Sequence, residues 1–448
     1  MPRSPAKPVA QRNVGRRRAD LVYQRFLPHQ YLHLLGKRGV EDIRLGDSVE
    51  RNVTILFSDI RDFTSLSESL PPREAFRFIN SYLRAMEPAL TGAHGFVDKY
   101  IGDAIMAIFP TSADDALRGA IDMLTRLRRF NAARRRAGST PIRIGIGLNT
   151  GLVTAGALGS ARQMEATVIS DAVNLASRLQ TLTKTYGVPL LISEHVFYSL
   201  TDPAAHDIRF VDRVRVRGKE QPQSVYEVFD ADAPALRAAK RRTKQMFEEA
   251  LAHYHLRDGL TACRLLRRCL AGCPEDRTAR VYAERCARFL ATGVHEGTGE
   301  TDVRVAFGPQ YLVGHAVIDA QHRELFTWVN RLARAVRTAG AGEQTRRASA
   351  FLRRYVEEHF ETEERCMREE GYPHLELQRE QHARFARDFA LLDAELREDL
   401  AARRVFLLFK VQLLVVDWLA HHTMKADRHF GRFLAGRGRR RRTRGGRR

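Results

Sequence analysis

Apolar positions change period three times along the 448 residues, and each change marks a new kind of element. After a short apolar-periodic stretch in 19–46 (Leu21, Phe26, Leu27, Tyr31, Leu32, Leu35), broken by Pro28 and ended near Gly36, the spacing predicts lead-in helices. From Asn52 to about Asp230, strand and helix patterns interleave. Val53 to Phe57 is a β-rich run, 72–91 has a helical period, and Phe96–Tyr100 and Ala104–Phe109 are two short strands around a tight turn. A helix is expected over 113–136, strands over Ile142–Asn149 and Leu152–Ala157 meeting at Gly151, and a helix over 171–186. Further strands are expected near 189–192, 208–217 and 225–229. Strand, helix, hairpin, helix, strand is the split β-α-β plan, so an α+β domain is expected over 47–231.

Residues 235–295 turn to continuous helix-forming sequence with small and aromatic residues at turn spacing (Ala250, Tyr254, Gly259, Ala262, Leu266, Tyr282). They resemble one tetratricopeptide unit plus a following helix, a connector that needs a neighbour to bury its face. A Gly/Thr/Glu-rich linker follows at 293–301, and 302–435 gives four amphipathic helices, near 318–338, 345–368, 374–396 and 402–432. That part is all-α, an up-down four-helix bundle.

The formal charge of +21 invites a nucleic-acid partner, but its location argues otherwise. Residues 1–18 carry six basic and no acidic side chains, and 437–448 carry eight arginines among Gly and Thr. The excess therefore describes two disordered tails, 1–18 and 436–448, and not a charged binding face; no specific nucleic-acid partner is expected. The five cysteines fit no zinc spacing and no disulfide framework, which reads as core filling in a reducing cytoplasm. The most apolar run, Val405 to Ala420, is interrupted by Lys410 and Asp417 and predicts a buried bundle helix, with no transmembrane segment.

Two carboxylates stand at strand ends, Asp59 after Ile55-Leu56-Phe57 and Asp103 at the Gly102 turn. Adjacent strands would bring them together, and such a pair commonly holds Mg²⁺ bridged to substrate phosphates. Their surroundings are Phe57-Ser58-Asp59-Ile60-Arg61-Asp62-Phe63-Thr64, Lys99-Tyr100-Ile101-Gly102-Asp103, Thr167-Val168-Ile169-Ser170-Asp171-Ala172-Val173-Asn174-Leu175-Ala176-Ser177-Arg178 and Arg217-Gly218-Lys219. Together these resemble the class III adenylate and guanylate cyclases. The resemblance implies a ferredoxin-like domain and a homodimer with two equivalent sites between protomers. It assigns Asp59, Asp103 and the backbone of Ile60 to two Mg²⁺ or Mn²⁺ ions, with Ile60, Phe63 and Thr64 near the phosphates. It assigns Arg178 to charge on the α-phosphate, Lys219 and Arg162 to the phosphates, and Asn174 to the ribose. Lys99 and Thr167 fall where the base is read. Lys99, donor only, and Thr167, able to accept, suit adenine, where guanylate cyclases typically place Glu and Cys. The substrate implied is ATP, giving cyclic AMP and pyrophosphate.

Histidines cluster in the last third of the chain: His322, then His359 with Glu363 four residues on, then His382, then His422 with Asp427. Residues four apart share a helix face, and imidazole with carboxylate suits iron better than magnesium. The segments Ile318-Asp319-Ala320-Gln321-His322, His359-Phe360-Glu361-Thr362-Glu363-Glu364, Gly371-Tyr372-Pro373 and Trp418-Leu419-Ala420-His421-His422 resemble bacterial hemerythrins. The resemblance implies two ferrous ions bridged by Glu363 and Asp427, with O₂ binding at an open position. Simple periodicity puts His422 and Asp427, five apart, on different faces, so their pairing is implied by the resemblance alone. Gln378 stands where the family has a further His, which predicts one iron weakly ligated or completed by water. His374, a turn earlier, would replace it only if the helix shifted.

The expected whole is an adenylate cyclase whose activity answers to O₂, redox state or iron at the bundle. A guanylate cyclase of the same architecture, and an O₂- or iron-binding protein with a vestigial cyclase, are the alternatives.

Overall fold

A computed structural model of the chain describes residues 29–160, 163–214, 222–296, 306–338, 342–397 and 400–445. The basic tail 1–18, most of the first lead-in segment, Arg162 and Lys219 lie outside the described residues. The chain forms two compact units: one takes the residues up to Arg242 with Glu275–Val281, the other Thr243–Pro274 and everything from Tyr282 on.

The first unit is built on a mixed eight-stranded sheet: β1 Ser48–Ile60, β2 Phe96–Ile101, β3 Ala104–Phe109, β4 Ile144–Ser160, β5 Gln163–Ile169, β6 Leu190–Ser193, β7 Ile208–Val214 and β8 Gln223–Val228. Its order is β2-β3-β1-β4-β6-β8-β7, with β5 folded back on β4 and only the β4–β6 pair parallel. The helices are α1 His29–Leu35, α2 Phe63–Glu68, α3 Pro72–Thr91, α4 Ala113–Arg136, α5 Asp171–Tyr186 and α6 Glu194–Ser199. The strand β1 is covered on both sides, which explains why its middle is apolar but for Thr54: Val53 and Ile55 join a core with Tyr31 of α1 and Ala172 and Ala176 of α5. The Ser58 hydroxyl meets Tyr82 of α3 on the other face. Local signals set the helix ends. Ser112 caps α4 by accepting from Asp115 N–H at 3.0 Å, acidic residues fill its first turn and arginines its last. Ser170 caps α5, and Gly187, left-handed at φ 68°, ends it.

One expectation is corrected here. The two strands expected to meet at Gly151 are a single strand, β4, which pairs with β1 from Ile144 through Gly156 without a break. Gly151 marks close packing instead of a turn. A Cβ on Gly147 would lie 2.3 Å from Gln180 N, and one on Gly151 2.8 Å from the Ala172 side chain, so α5 lies directly on the glycine face of β4. The strand β5 returns on β4, with Met164, Ala166 and Val168 alternating with polar residues.

The far edge of the sheet carries a buried ionic cluster. Arg209 of β7, wholly inaccessible, donates to both Asp276 oxygens at 2.6 and 2.8 Å and to Glu227 at 2.6 Å. Lys240 joins it through Glu227 and Asp232. Asp276 also caps the helix that starts at Arg277, accepting from Ala279 N–H.

Connector helices α7 Pro234–His255, α8 Gly259–Gly272 and α9 Arg277–Thr292 bury Cys263, Cys269, Cys273 and Cys286 as free thiols. In the second unit, α10 Ala316–Arg337, α11 Gly342–Glu369 and α12 Leu375–Leu396 precede a last helix that is helical without a break from Leu400 to Gly445. A disordered tail from 436 was expected; the backbone is instead helical through Gly445. Extending an existing helix needs no new nucleus, and arginine is a good helix former. Two stretches of the last helix, Val411–Asp417 and Thr423–Asp427, wind as π-helix. No described helix is long and apolar enough to cross a membrane.

Candidate active site and metal centre

In the sheet unit the predicted residues fall into separate clusters. Asp59 ends β1 and Asp103 opens β3 behind Gly102, whose φ of 65° makes the hairpin turn. Both carboxylates are half-buried, and Asp103 Oδ2 accepts from Ile60 N–H at 3.1 Å. Burial, then the adjoining Asp59 carboxylate, push the Asp103 pKa up to about 7. Two carboxylates held this close disfavour full ionisation without a cation, which is the chemistry of a divalent-metal site. The chain after them, Asp62-Phe63-Thr64, bends through a left-handed Asp62 (φ 57°) into α2.

Lys99 lies on β2 at a bulge and donates to Thr167 Oγ1 of β5 at 3.0 Å, so the two positions expected to read the base are neighbours. Lys99 also hydrogen-bonds to the Glu165 carboxylate. Asp98 Oδ2 stands 3.8 Å from the ammonium, and both Asp98 oxygens are buried without a hydrogen-bond partner. Burial raises the Asp98 pKa to about 6. Asn174 and Arg178 sit one turn apart on the exposed face of α5. Among the described residues, no hydrogen bond or ion pair joins Lys99, Thr167, Asn174 or Arg178 to Asp59 or Asp103.

In the bundle the structure brings all seven predicted positions together. His322, His359, Glu363, Gln378, His382, His422 and Asp427 are each at most 3% exposed. His322 Nε2 stands 3.3 Å from Asp427 Oδ2, and His422 Nε2 3.1 Å from Asp427 Oδ1. His382 Nε2 stands 3.4 Å from Glu363 Oε2, with His359 Nε2 3.9 Å from the same oxygen. Two ligand groups result, His322–Glu363–Asp427 and Glu363–His382–His422, sharing Glu363. The five-residue step from His422 to Asp427 also acquires a physical cause. The intervening Thr423–Asp427 segment is π-helical, and i to i+5 winding returns position five to the same face.

Charge in this dry pocket favours cation binding. Burial, then the neighbouring Asp427 carboxylate, hold the Glu363 pKa well above the ordinary range. Burial alone would raise Asp427, but His422 and His322 outweigh it and hold that carboxyl well below its usual value. Burial, then the nearby His322, keep His359 neutral and able to donate a lone pair. Both ring nitrogens of His322, both Glu363 oxygens and Asp427 Oδ2 are buried without a hydrogen-bond partner. Such orphaned atoms are costly unless a cation meets them, so the residues present fit a di-metal centre.

Sequence reasoning missed the groups that hold these side chains. Gln321 Oε1 lies 3.1 Å from His359 Nδ1, and Glu364 Oε1 2.9 Å from His382 Nδ1, each aiming the opposite nitrogen inward. Phe360 stacks on His382 at 3.8 Å, and Trp418 on His422 at 4.4 Å. Their adjacency to a ligand in sequence was the available signal, as was the shared strand face of Glu165 and Thr167. His374, the possible substitute for Gln378, is exposed at the start of α12 against Tyr372 and His429.

Residues 47–228 match the adenylate and guanylate cyclase catalytic domain, and residues 313–434 match the hemerythrin HHE cation-binding domain. The chain joins a class III cyclase domain to a hemerythrin domain. The cyclase domain is similar to an adenylate cyclase of Anabaena cylindrica, 44% identical over 46% of this chain and 42% of the relative. It is similar also to the terminal-differentiation-specific adenylate cyclase of Dictyostelium discoideum, 35% identical over 61% of this chain and 13% of the relative. The chain thus spans less than half the length of these relatives. Among solved structures, the adenylyl cyclase CyaB of P. aeruginosa is 30% identical over 41% of this chain and 96% of that one, with a TM-score of 0.37.

Proposed function

We propose that the chain is an adenylate cyclase that converts ATP to 3′,5′-cyclic AMP and pyrophosphate, at sites shared by two copies, under the influence of its hemerythrin domain. The observation that carries the reading is the Asp59–Asp103 pair beside the Ile60 backbone. Two divalent ions held there would acidify the ribose 3′-hydroxyl and neutralise the triphosphate. In the reaction the 3′-oxygen bonds to the α-phosphorus, the bond to the bridging oxygen of the β-phosphate breaks, and pyrophosphate leaves.

Each remaining residue has a task that fits its chemistry. The Arg178 guanidinium presents paired N–H donors to charge developing on the α-phosphate. Asn174, a turn away, orients the ribose, while the backbone at Ile60, Phe63 and Thr64 borders the phosphates. Lys219 and Arg162, outside the described residues, pair with the phosphates by their type and position. Lys99 donates to a ring nitrogen of adenine and Thr167 accepts from its exocyclic amine. Among the described residues, no bond joins Lys99, Thr167, Asn174 or Arg178 to the aspartates, which fits a site divided between protomers. Exposed Leu158, Met164 and Ile169 on the β4–β5 arm give such a dimer apolar surface to bury.

The hemerythrin domain would hold two iron ions through His322, His359, Glu363, His382, His422 and Asp427, and report O₂, redox state or iron to the cyclase. Product formation by the purified full chain with Mg²⁺, ATP or GTP tests the catalytic reading. Cyclic AMP is expected at least about tenfold faster than cyclic GMP, because polar groups matched to one base reject the other. Faster turnover of GTP would overturn the assignment to adenine.

A further inference from the structure

The two halves of the bundle centre are not chemically equivalent. His322 and His359 come with Glu363 and Asp427, and the His322 nitrogens, both Glu363 oxygens and Asp427 Oδ2 are free of hydrogen bonds. That half offers a cation the His322 imidazole and two carboxylates already arranged, with His359 Nε2 3.9 Å from Glu363 Oε2. On the other half, His382 and His422 face each other with their Nε2 atoms 3.0 Å apart, and the next inward group, one turn before His382, is Gln378. Its amide nitrogen donates to Asp427 Oδ1 at 3.1 Å, the same oxygen that faces His422. The acceptor fixes the amide's orientation, since the reverse would set amide oxygen against carboxylate oxygen. A cation on the His382 and His422 side therefore meets an N–H group in place of a lone pair, and a carboxylate oxygen already engaged. Glu364, holding His382 Nδ1, keeps that imidazole a good donor, so the position is weakened and not abolished.

We propose that Gln378 makes the hemerythrin centre a two-step metal binder. The His322 and His359 position fills first and keeps its ion. The His382 and His422 position fills only when an ion breaks the Gln378–Asp427 hydrogen bond, so its occupancy follows the free concentration of the divalent metal. The ligand reported to the cyclase is then the metal itself. This rests on the reading of the bundle as a di-metal centre.

The test is equilibrium dialysis of the chelator-stripped full chain against Co²⁺, a probe of imidazole and carboxylate sites, with excess Mg²⁺ occupying the cyclase aspartates. Two binding steps are expected, the second weaker by on the order of 10–100-fold, with Gln378→His bringing the second close to the first. His422→Ala should remove the weak step alone and His322→Ala the tight one, which keeps the test decisive if Gln378→His folds poorly. Two equal steps in the wild type, or a second step unmoved in a folded Gln378→His, overturn the proposal while leaving the di-metal reading intact. No retained Co²⁺ in either protein, with helical circular dichroism unchanged, overturns both.

Discussion

At the scale of single residues the account turns on which groups are left unpaired. Asp103, its pKa near 7, keeps its proton through mildly acidic pH, and a metal ion must displace that proton to bind. Mg²⁺ activation of the cyclase should therefore strengthen as pH rises toward 7 and level off above it, measured as the Mg²⁺ concentration for half-maximal rate between pH 5.5 and 8. Replacing Asp103 with Asn should lower kcat by at least about 100-fold, since it removes a metal ligand and leaves Ile60 N–H its partner. Lys99→Glu with Thr167→Cys should shift the ATP-to-GTP ratio of kcat/KM toward GTP by at least about tenfold. Most of these residues were legible because motif spacing names them. Glu165, Gln321 and Glu364 were not, because a side chain that works by holding another has no spacing rule of its own.

Among the elements, β4 and the last bundle helix taught most about reading sequence. Two strands are expected to meet at Gly151, yet α5 packs so closely on it that an added Cβ would press on the Ala172 side chain. The step from His422 to Asp427 contradicted an α-helical period because the segment is not α-helical. Deleting Ala426 would set the two four residues apart, and α-helical winding would then keep them, and the residues that follow, on the same face. We expect such a chain to retain both Co²⁺ steps in equilibrium dialysis, and loss of the tight step would contradict this reading of the π segment. The Arg209 cluster ties β7 and β8 to the start of α9. Arg209→Met takes the guanidinium from buried Asp276 and leaves Glu227 to Lys240 alone, and should cost roughly 3–5 kcal/mol of stability in urea unfolding. Arg209, the second residue of β7, gave no hint in sequence of partners 18 and 67 residues away.

For the whole molecule, composition separated the basic ends from a mildly charged body, and motif order over 47–228 and 313–434 named both domains. The bundle's fold and its seven inward positions were equally legible; the inequality of its two halves was not, because it depends on a hydrogen bond that only the packed core creates. The central claim is that metal at the hemerythrin centre sets the rate of cyclic AMP formation. The most direct measurement is the initial rate of the purified full chain on ATP, with Mg²⁺ constant, before and after removal of iron and again after its anaerobic return. A reversible change of at least about fivefold is expected, the scale of ordinary coupling between sites. Equal rates in all three states would contradict the claim.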